Sequence, residues 1–153
     1  MAAETVDIVS TRHGINPPLV QAIIEVESSG DPLAMRYEPE WPYFVETGVR
    51  GVSRATEEMQ QATSWGLMQV MGTTARELGC DAPFLSALCS PRVGLEFGCR
   101  YLAKQLARYD GNEVAAVAAY NAGTARRRDD GDWINQSYVN KVWSAYGRMR
   151  GEV

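Results

Sequence analysis

The clearest candidate for chemistry in this sequence is a glutamate that continues an apolar helix face. In the predicted helix over residues 17–27, that face consists of Leu19, Val20, Ile23 and Ile24. Glu27 follows Ile23 by four positions and Ile24 by three, whereas Glu25 falls on the polar side. Burial and the negative end of the helix both raise the pKa of Glu27. A carboxyl group that stays protonated near neutral pH is suited to general acid catalysis.

A second polar residue extends an apolar face nearer the C-terminus. The predicted helix over residues 113–121 has an apolar side formed by Val114, Val117 and Ala118. Asn121 continues this side just before Gly123, which predicts a buried amide that needs hydrogen-bond partners. Asn121 either caps the helix or faces a substrate. Glu27 has a comparable alternative, as a carboxylate at a frayed helix end or one paired with a core arginine.

The elements that must position these residues are mainly helical. Periodicity and helix-end signals predict helices over residues 4–12, 17–27, 54–62, 73–78, 92–109, 113–121 and 138–150. Strand-like alternation is nearly absent. Between the second and third helices, residues 33–53 contain several prolines, glycines and aromatic residues, which predicts a long loop or a small hairpin. The length of 153 residues favours a single domain, residues 1–153, with a short N-terminal helix.

Three segments in order along the chain form a more specific pattern. They are Glu27-Ser28-Ser29-Gly30, then Ser64-Trp65-Gly66-Leu67-Met68-Gln69-Val70, then Ala119-Tyr120-Asn121-Ala122-Gly123. Together they resemble the signatures of soluble lytic transglycosylase catalytic domains, and residues 138–142 resemble a weaker fourth motif of that family. The resemblance covers about residues 15–146. It implies a lysozyme-like fold, with the long loop or hairpin inserted between the catalytic helix and the Gly66–Gln69 segment.

The same resemblance implies roles for individual residues. Glu27 is the expected general acid and base, and the Tyr138 hydroxyl is expected near its carboxylate. The expected substrate-binding residues are Ser64, Gly66, Leu67, Met68, Gln69, Tyr120, Asn121 and Tyr138. For Met68, plain core packing is an alternative, and Tyr138 has the same alternative at its helix start.

The family's activity implies a peptidoglycan substrate and no metal or other cofactor. The expected reaction cleaves the β-1,4 bond between N-acetylmuramic acid and N-acetylglucosamine and leaves a 1,6-anhydro end. One alternative is a hydrolytic muramidase that uses a second carboxylate, such as Glu38 or Glu46. Another is a non-catalytic glycan-binding or virion-structural module. The aromatic segment over residues 33–53, called the insertion below, departs from shorter family members and resembles the corresponding loops of phage-type members.

Charge and composition limit the kinds of molecule that this protein is expected to bind. The net charge of −4 argues against nucleic acid, and no apolar run is long enough to span a membrane. The basic run at residues 126–128 precedes two aspartates, so it is either a solvated turn or a contact to an anionic polymer. We expect a monomer that acts on glycan strands of periplasmic peptidoglycan. Residues 1–8 lack the features of a signal peptide, which favours delivery by a phage particle or release during phage lysis.

The chain has three cysteines, Cys80, Cys89 and Cys99, at irregular spacing. An odd number cannot form a complete disulfide framework, and the spacing does not match a zinc site. Free thiols are expected, and a Cys80–Cys89 bridge remains an alternative.

Overall fold

The computed structural model describes residues 2–152 of the chain. Within this range, the helices are α1 (Ala2–Arg12), α2 (Pro17–Ser28), α3 (Arg54–Gln61), α4 (Gly72–Glu77), α5 (Pro91–Arg108), α6 (Glu113–Ala122) and α7 (Gln136–Met149). The strands are β1 (Met35–Tyr37), β2 (Thr63–Trp65) and β3 (Val70–Met71), and a 3-10 helix spans Leu85–Cys89. The predicted mainly helical fold is therefore confirmed, and the predicted helix ends are correct to within about two residues.

Helix α2 packs chiefly against α7 and also contacts α1. It begins with Pro17, where a missing backbone N–H leaves no unsatisfied donor, and it is capped at its C-terminus by Ser29, which has a left-handed φ of 53°. Its apolar face is almost completely buried. Asn16 occupies the predicted N-cap position, but its side chain makes no capping bond and instead donates to the Tyr146 hydroxyl at 2.8 Å. The start of α2 is thereby fixed to α7.

The three strands form a small antiparallel sheet in the order β1-β2-β3. Met35 pairs with Trp65 in β1 and β2, and Trp65 pairs with Val70 in β2 and β3. The aromatic segment predicted as a loop or a small hairpin is a loop that begins with edge strand β1, and it forms no hairpin of its own because the partner strand β2 lies beyond α3. Residues 38–53 then continue without regular secondary structure as far as α3.

Helix α5 packs closely against the 3-10 helix and against Met68. Gly94 faces the backbone carbonyl of Leu88, and Gly98 faces the side chain of Met68, so a methyl group at either glycine would collide with its neighbour. Leu95, with no exposed surface, is among the core residues of this helix. The two glycines allow the 3-10 helix and the Met68 region to approach α5 closely.

A buried ion pair joins α3 to α4. Arg76 Nε lies 2.7 Å from Glu57 Oε1, and the two side chains are 0% and 8% exposed. Arg76 also donates to the carbonyls of Cys80 and Ala82, at 2.7 Å each. The guanidinium therefore links two helices and the turn that follows them.

All three cysteines are free, with Cys80 and Cys99 buried and Cys89 half-buried. The expected free thiols are confirmed, and a Cys80–Cys89 bridge is not formed. Burial raises the pKa of Cys99 to about 12, with a smaller contribution from Glu96. No helix within the described part of the chain combines the length and apolar character that a membrane span requires.

Candidate active site

Glu27 lies in the last turn of α2, half-buried, next to the first turns of α7. The Tyr138 hydroxyl donates a hydrogen bond of 2.7 Å to Glu27 Oε1. Burial raises the pKa of Glu27, and the hydrogen bond from Tyr138 offsets part of that increase by stabilising the carboxylate. The environment thus favours the protonated acid and also provides a donor for the carboxylate formed when the proton leaves.

Two further tyrosines stand beside this pair. Tyr120, at the end of α6, is 7% exposed and donates to the Met68 carbonyl at 2.8 Å. The Tyr101 ring of α5 packs on it, with ring centroids 5.0 Å apart. Burial, followed by the charge of nearby Glu27, raises the pKa of both Tyr120 and Tyr138. Both phenols therefore remain protonated donors. Tyr101 is a supporting residue that the sequence patterns did not single out.

The segment from β2 to β3 forms a tight turn beside α2. Gly66 has a φ of +74°, its N–H donates to the Ala34 carbonyl at 2.8 Å, and a Cβ at this position would collide with the Leu88 carbonyl. Gln69 also has a positive φ, 48°, and its Nε2 donates to the carbonyls of Ala34 at 3.0 Å and Gly66 at 2.9 Å. Its Oε1 accepts from Ser64 Oγ at 2.9 Å. Gln69 and Ser64 therefore fix the turn itself.

Ser28 connects this turn to the candidate acid. Its hydroxyl lies 2.8 Å from the Leu67 carbonyl and 3.1 Å from the Ile24 carbonyl, within hydrogen-bonding distance of both. Because Ser28 directly follows Glu27, the bond to Leu67 sets the position of the α2 terminus relative to the turn. Sequence reasoning included Ser28 in a motif but gave it no role, and only its place beside Glu27 indicated one.

The side chains of Leu67 and Met68 point into the core, with exposures of 5% and 0%. For Met68 this agrees with the core-packing alternative, since its side chain lies against Gly98. Tyr120 binds the Met68 backbone rather than the thioether. This part of the turn therefore supports the site chiefly through its backbone.

Asn121 differs from its predicted environment. It is exposed rather than buried, because α6 ends one residue later at Ala122, where the chain turns through Gly123 with a φ of +80°. Its Oδ1 accepts from Asn135 Nδ2 at 2.9 Å. The expected burial was wrong, whereas the exposed amide nitrogen is open to a ligand.

The two candidate secondary acids lie in the insertion and are each paired with an arginine. Glu38 Oε1 is 2.9 Å from Arg36 Nε, and Glu46 Oε1 is 2.6 Å from Arg54 Nη1. The Glu46 side chain is 77% exposed. The structure therefore does not bring either carboxylate into a hydrogen bond with the Glu27–Tyr138 pair.

The arginines of the basic run at residues 126–128 mostly contact residues of their own loop. The Arg127 guanidinium lies 3.8 Å from the centroid of the Trp133 ring, and Arg128 donates to the Ile134 carbonyl at 3.0 Å. Two of its three arginines thus stabilise the α6–α7 connection, which favours the interpretation as a structured turn.

Among residues 2–152, no three or more histidine, cysteine, aspartate or glutamate side chains converge in an arrangement that could hold a metal ion. The site described above consists of one half-buried carboxyl group, phenol donors and a backbone turn. The chain that carries this site also matches a known family. The family model described as "Transglycosylase SLT domain" matches residues 4–144. The chain belongs to this family. The resemblance inferred from its motifs is therefore confirmed.

The chain is also similar to individual proteins, one of which is named a transglycosylase. The chain is 28% identical over 141 residues to a protein of Enterobacteria phage PRD1 named "Transglycosylase", a match covering 91% of this chain and 40% of the phage protein. It is 31% identical over 93 residues to "Invasion protein IagB" of Salmonella typhimurium strain SL1344, covering 59% of this chain and 54% of that protein. This SLT domain therefore spans about half or less of the curated relatives.

A solved structure shows the same fold. It is an inactive mutant of the lytic transglycosylase Slt from Pseudomonas aeruginosa, and it matches with a TM-score of 0.64 at 23% sequence identity. The match covers 97% of this chain and 24% of the Pseudomonas chain. The SLT domain thus has the lysozyme-like architecture expected from its sequence.

Proposed function

We propose that this SLT domain is a peptidoglycan lytic transglycosylase in which Glu27 is the single general acid and base. The observation that carries the proposal is the Glu27 carboxyl, whose pKa is raised by burial and to which the Tyr138 hydroxyl donates a hydrogen bond of 2.7 Å. Family membership supplies the substrate class. The name of one relative adds support, since the phage protein is called a transglycosylase.

In the proposed reaction, Glu27 first donates its proton to the glycosidic oxygen between N-acetylmuramic acid and N-acetylglucosamine. The C1–O bond breaks, and the leaving sugar keeps that proton as its free 4-hydroxyl group. The neighbouring 2-acetamido group of the muramoyl unit stabilises the positive charge at C1. The muramoyl C6 hydroxyl then attacks C1 and transfers its proton to Glu27. The products are a 1,6-anhydro end and a regenerated acid, and no water is consumed.

A single-carboxylate mechanism also fits the placement of the other acids. Most glycosidases use two carboxylates on either side of the bond. Here Glu38 and Glu46 are each engaged by an arginine of the insertion segment or α3. Tyr138 instead assists Glu27 directly, because its hydroxyl stabilises the carboxylate after proton donation.

The test compares three proteins on purified Gram-negative sacculi: the wild type, Glu27→Gln and Glu25→Gln. Soluble muropeptides are analysed by mass spectrometry. Glu25 is a matched control on the same helix, since its side chain is 47% exposed and is paired with Arg148. We expect wild type and Glu25→Gln to release products lighter by one water than hydrolytic disaccharide-peptides. Glu27→Gln is expected to release none.

Other outcomes separate the alternatives. Reducing-end products that carry the added water would replace transglycosylation with muramidase chemistry, and Glu38→Ala and Glu46→Ala would then be examined for a second carboxylate. Binding to sacculi without release of any product would favour a glycan-binding or virion-structural module.

Access to periplasmic peptidoglycan is part of the same proposal. Delivery by a phage particle, or release during phage lysis, is supported by the similarity to a phage PRD1 protein.

A further inference from the structure

Exposed apolar side chains are concentrated in one stretch of the chain. Among the described residues, seven large hydrophobic side chains are exposed, and four of them are Leu33, Met35, Tyr37 and Tyr43. Tyr43 is 63% exposed. Because exposed apolar surface is costly in water, a concentration of this kind marks a surface that contacts something else.

The insertion that carries Tyr43 is held firmly on both sides of that residue. Two positions before it, the Trp41 indole N–H donates to Thr73 Oγ1 at 2.8 Å. Two positions after it, Val45 exchanges two hydrogen bonds of 2.8 Å with the side chain of Gln61, which is fully buried. The segment is therefore fixed in one conformation although it has no regular secondary structure. Such preorganisation reduces the entropy that a ligand must offset on binding.

The chemistry of the fixed segment suits a sugar. The Trp41 and Tyr43 rings meet edge to face, with centroids 5.1 Å apart and planes at 71°. Beside them is an open cavity of about 370 Å³ lined by Glu38, Pro39, Glu40 and Trp41. Aromatic faces can cover the C–H face of a pyranose ring, while carboxylates accept hydrogen bonds from its hydroxyl groups.

Strand β1 connects this segment to the turn beside the candidate active site. The Ala34 carbonyl accepts from Gly66 N–H and from Gln69 Nε2, and β1 begins at the next residue. At the other end of β1, Glu38 N–H donates to the Ala62 carbonyl at 2.8 Å. A rigid strand of three residues therefore joins the turn near Glu27 to the insertion.

We propose that residues 38–43 form an additional subsite, in which Trp41 and Tyr43 stack against N-acetylglucosamine units of the same glycan strand, away from the bond that is cleaved. This proposal rests on the proposed function for its ligand. The expected ligand is an uncharged sugar, because the carboxylates that line the cavity can accept hydrogen bonds from its hydroxyl groups.

The test measures binding without turnover, in the Glu27→Gln background, by titration with β-1,4-linked N-acetylglucosamine trimer and hexamer. We expect the hexamer to bind about tenfold more tightly than the trimer, which corresponds to the contact energy of a stacked sugar. Adding Tyr43→Ala is expected to abolish most of that gain, whereas Tyr43→Phe keeps the ring and retains it. Ile8→Ala, which removes a side chain that is 54% exposed on α1, is the control and retains the gain.

Thermal denaturation of each variant establishes that it is folded. The subsite is overturned if folded Tyr43→Ala preserves the hexamer-over-trimer gain, or if the Glu27→Gln protein shows no such gain. These outcomes are separate from those of the proposed function. Muropeptide release depends on Glu27, whereas the length-dependent binding is measured with that carboxyl already removed.

Discussion

Tyr138 donates a 2.7 Å hydrogen bond to Glu27 although 111 positions separate the two residues in the sequence. The contact joins the end of α2 to the start of α7, and it acts on Glu27 in the opposite direction from burial. Burial favours the neutral carboxyl, and the phenol favours the carboxylate. The balance suits a group that must first hold a proton and then release it.

Replacing Tyr138 with Phe tests this balance. Without the phenol the carboxylate loses its donor, so the pKa of Glu27 rises further and the basic limb of the pH–rate profile moves to higher pH. The rate of muropeptide release at neutral pH is expected to fall about 10- to 100-fold, because a hydrogen bond to a charged group contributes about 1.5–3 kcal/mol. Tyr146→Phe is the control on the same helix, since Tyr146 binds Asn16 instead. An unchanged profile would contradict the role of Tyr138.

The partial burial of Glu27 also predicts that the stability difference between wild type and Glu27→Gln depends on pH. A carboxyl whose pKa is raised on folding favours the native state at low pH and opposes it once pH exceeds the unfolded pKa. Glu27→Gln removes this titration and keeps an oxygen that accepts from Tyr138. The melting temperature of Glu27→Gln relative to wild type should therefore rise between pH 4 and pH 7, whereas Glu25→Gln should show no comparable trend. A constant difference across this range would mean that Glu27 titrates normally.

Much of the site was predictable because its signals are local. The periodicity of α2 places Glu27 on the apolar face, and the half-buried carboxyl agrees with that placement. The contacts that complete the site are not local. Ser28 binds Leu67 across 39 positions, and Tyr120 binds Met68 across 52. Such pairs depend on how helices pack, which spacing within one helix does not encode.

Helix α3 shows a different reason why sequence patterns fail. Met59, its one large apolar residue, is 55% exposed, whereas Glu57, Gln60 and Gln61 are buried. Polar residues can occupy the inner face because each has partners there, including Arg76 for the glutamate. A prediction from the hydrophobic pattern would therefore place the wrong face of this helix, the one with Met59, against the core. Asn121 is the converse case, since an apolar face predicted its burial but the helix ends too early to cover it.

The turn near Glu27 should be sensitive to a single methyl group. Gly66→Ala requires a left-handed φ at a non-glycine residue and places Cβ against the Leu88 carbonyl. We expect a loss of about 3 kcal/mol or more in the free energy of unfolding, measured by urea denaturation. Gly48→Ala is the matched control, because its φ is ordinary and no atom lies within 4 Å of the added methyl. Equal stability of the two variants would show that the turn can relax around the new side chain.

The buried ion pair between Glu57 of α3 and Arg76 of α4 should contribute strongly to the free energy of unfolding. Burial alone would raise the pKa of Glu57, but hydrogen bonds from Arg76, Gln61 and Gln60 outweigh it and lower the pKa. Arg76→Leu leaves this carboxylate buried without its cation, which is expected to cost about 3–5 kcal/mol in the free energy of unfolding. Arg54→Ala, which breaks exposed pairs, is the control and should have a much smaller effect.

The pH dependence distinguishes loss of the ion pair from simple loss of packing in Arg76→Leu. A glutamate with a lowered native pKa stabilises the fold above its unfolded pKa, and that contribution disappears as pH falls through the native value. In Arg76→Leu this contribution is already absent, so the stability deficit relative to wild type should shrink as pH falls below the unfolded pKa. Adding Glu57→Gln should recover part of the deficit at neutral pH, since it removes the unpaired charge. A deficit that is independent of pH and unaffected by Glu57→Gln would assign the loss to packing alone.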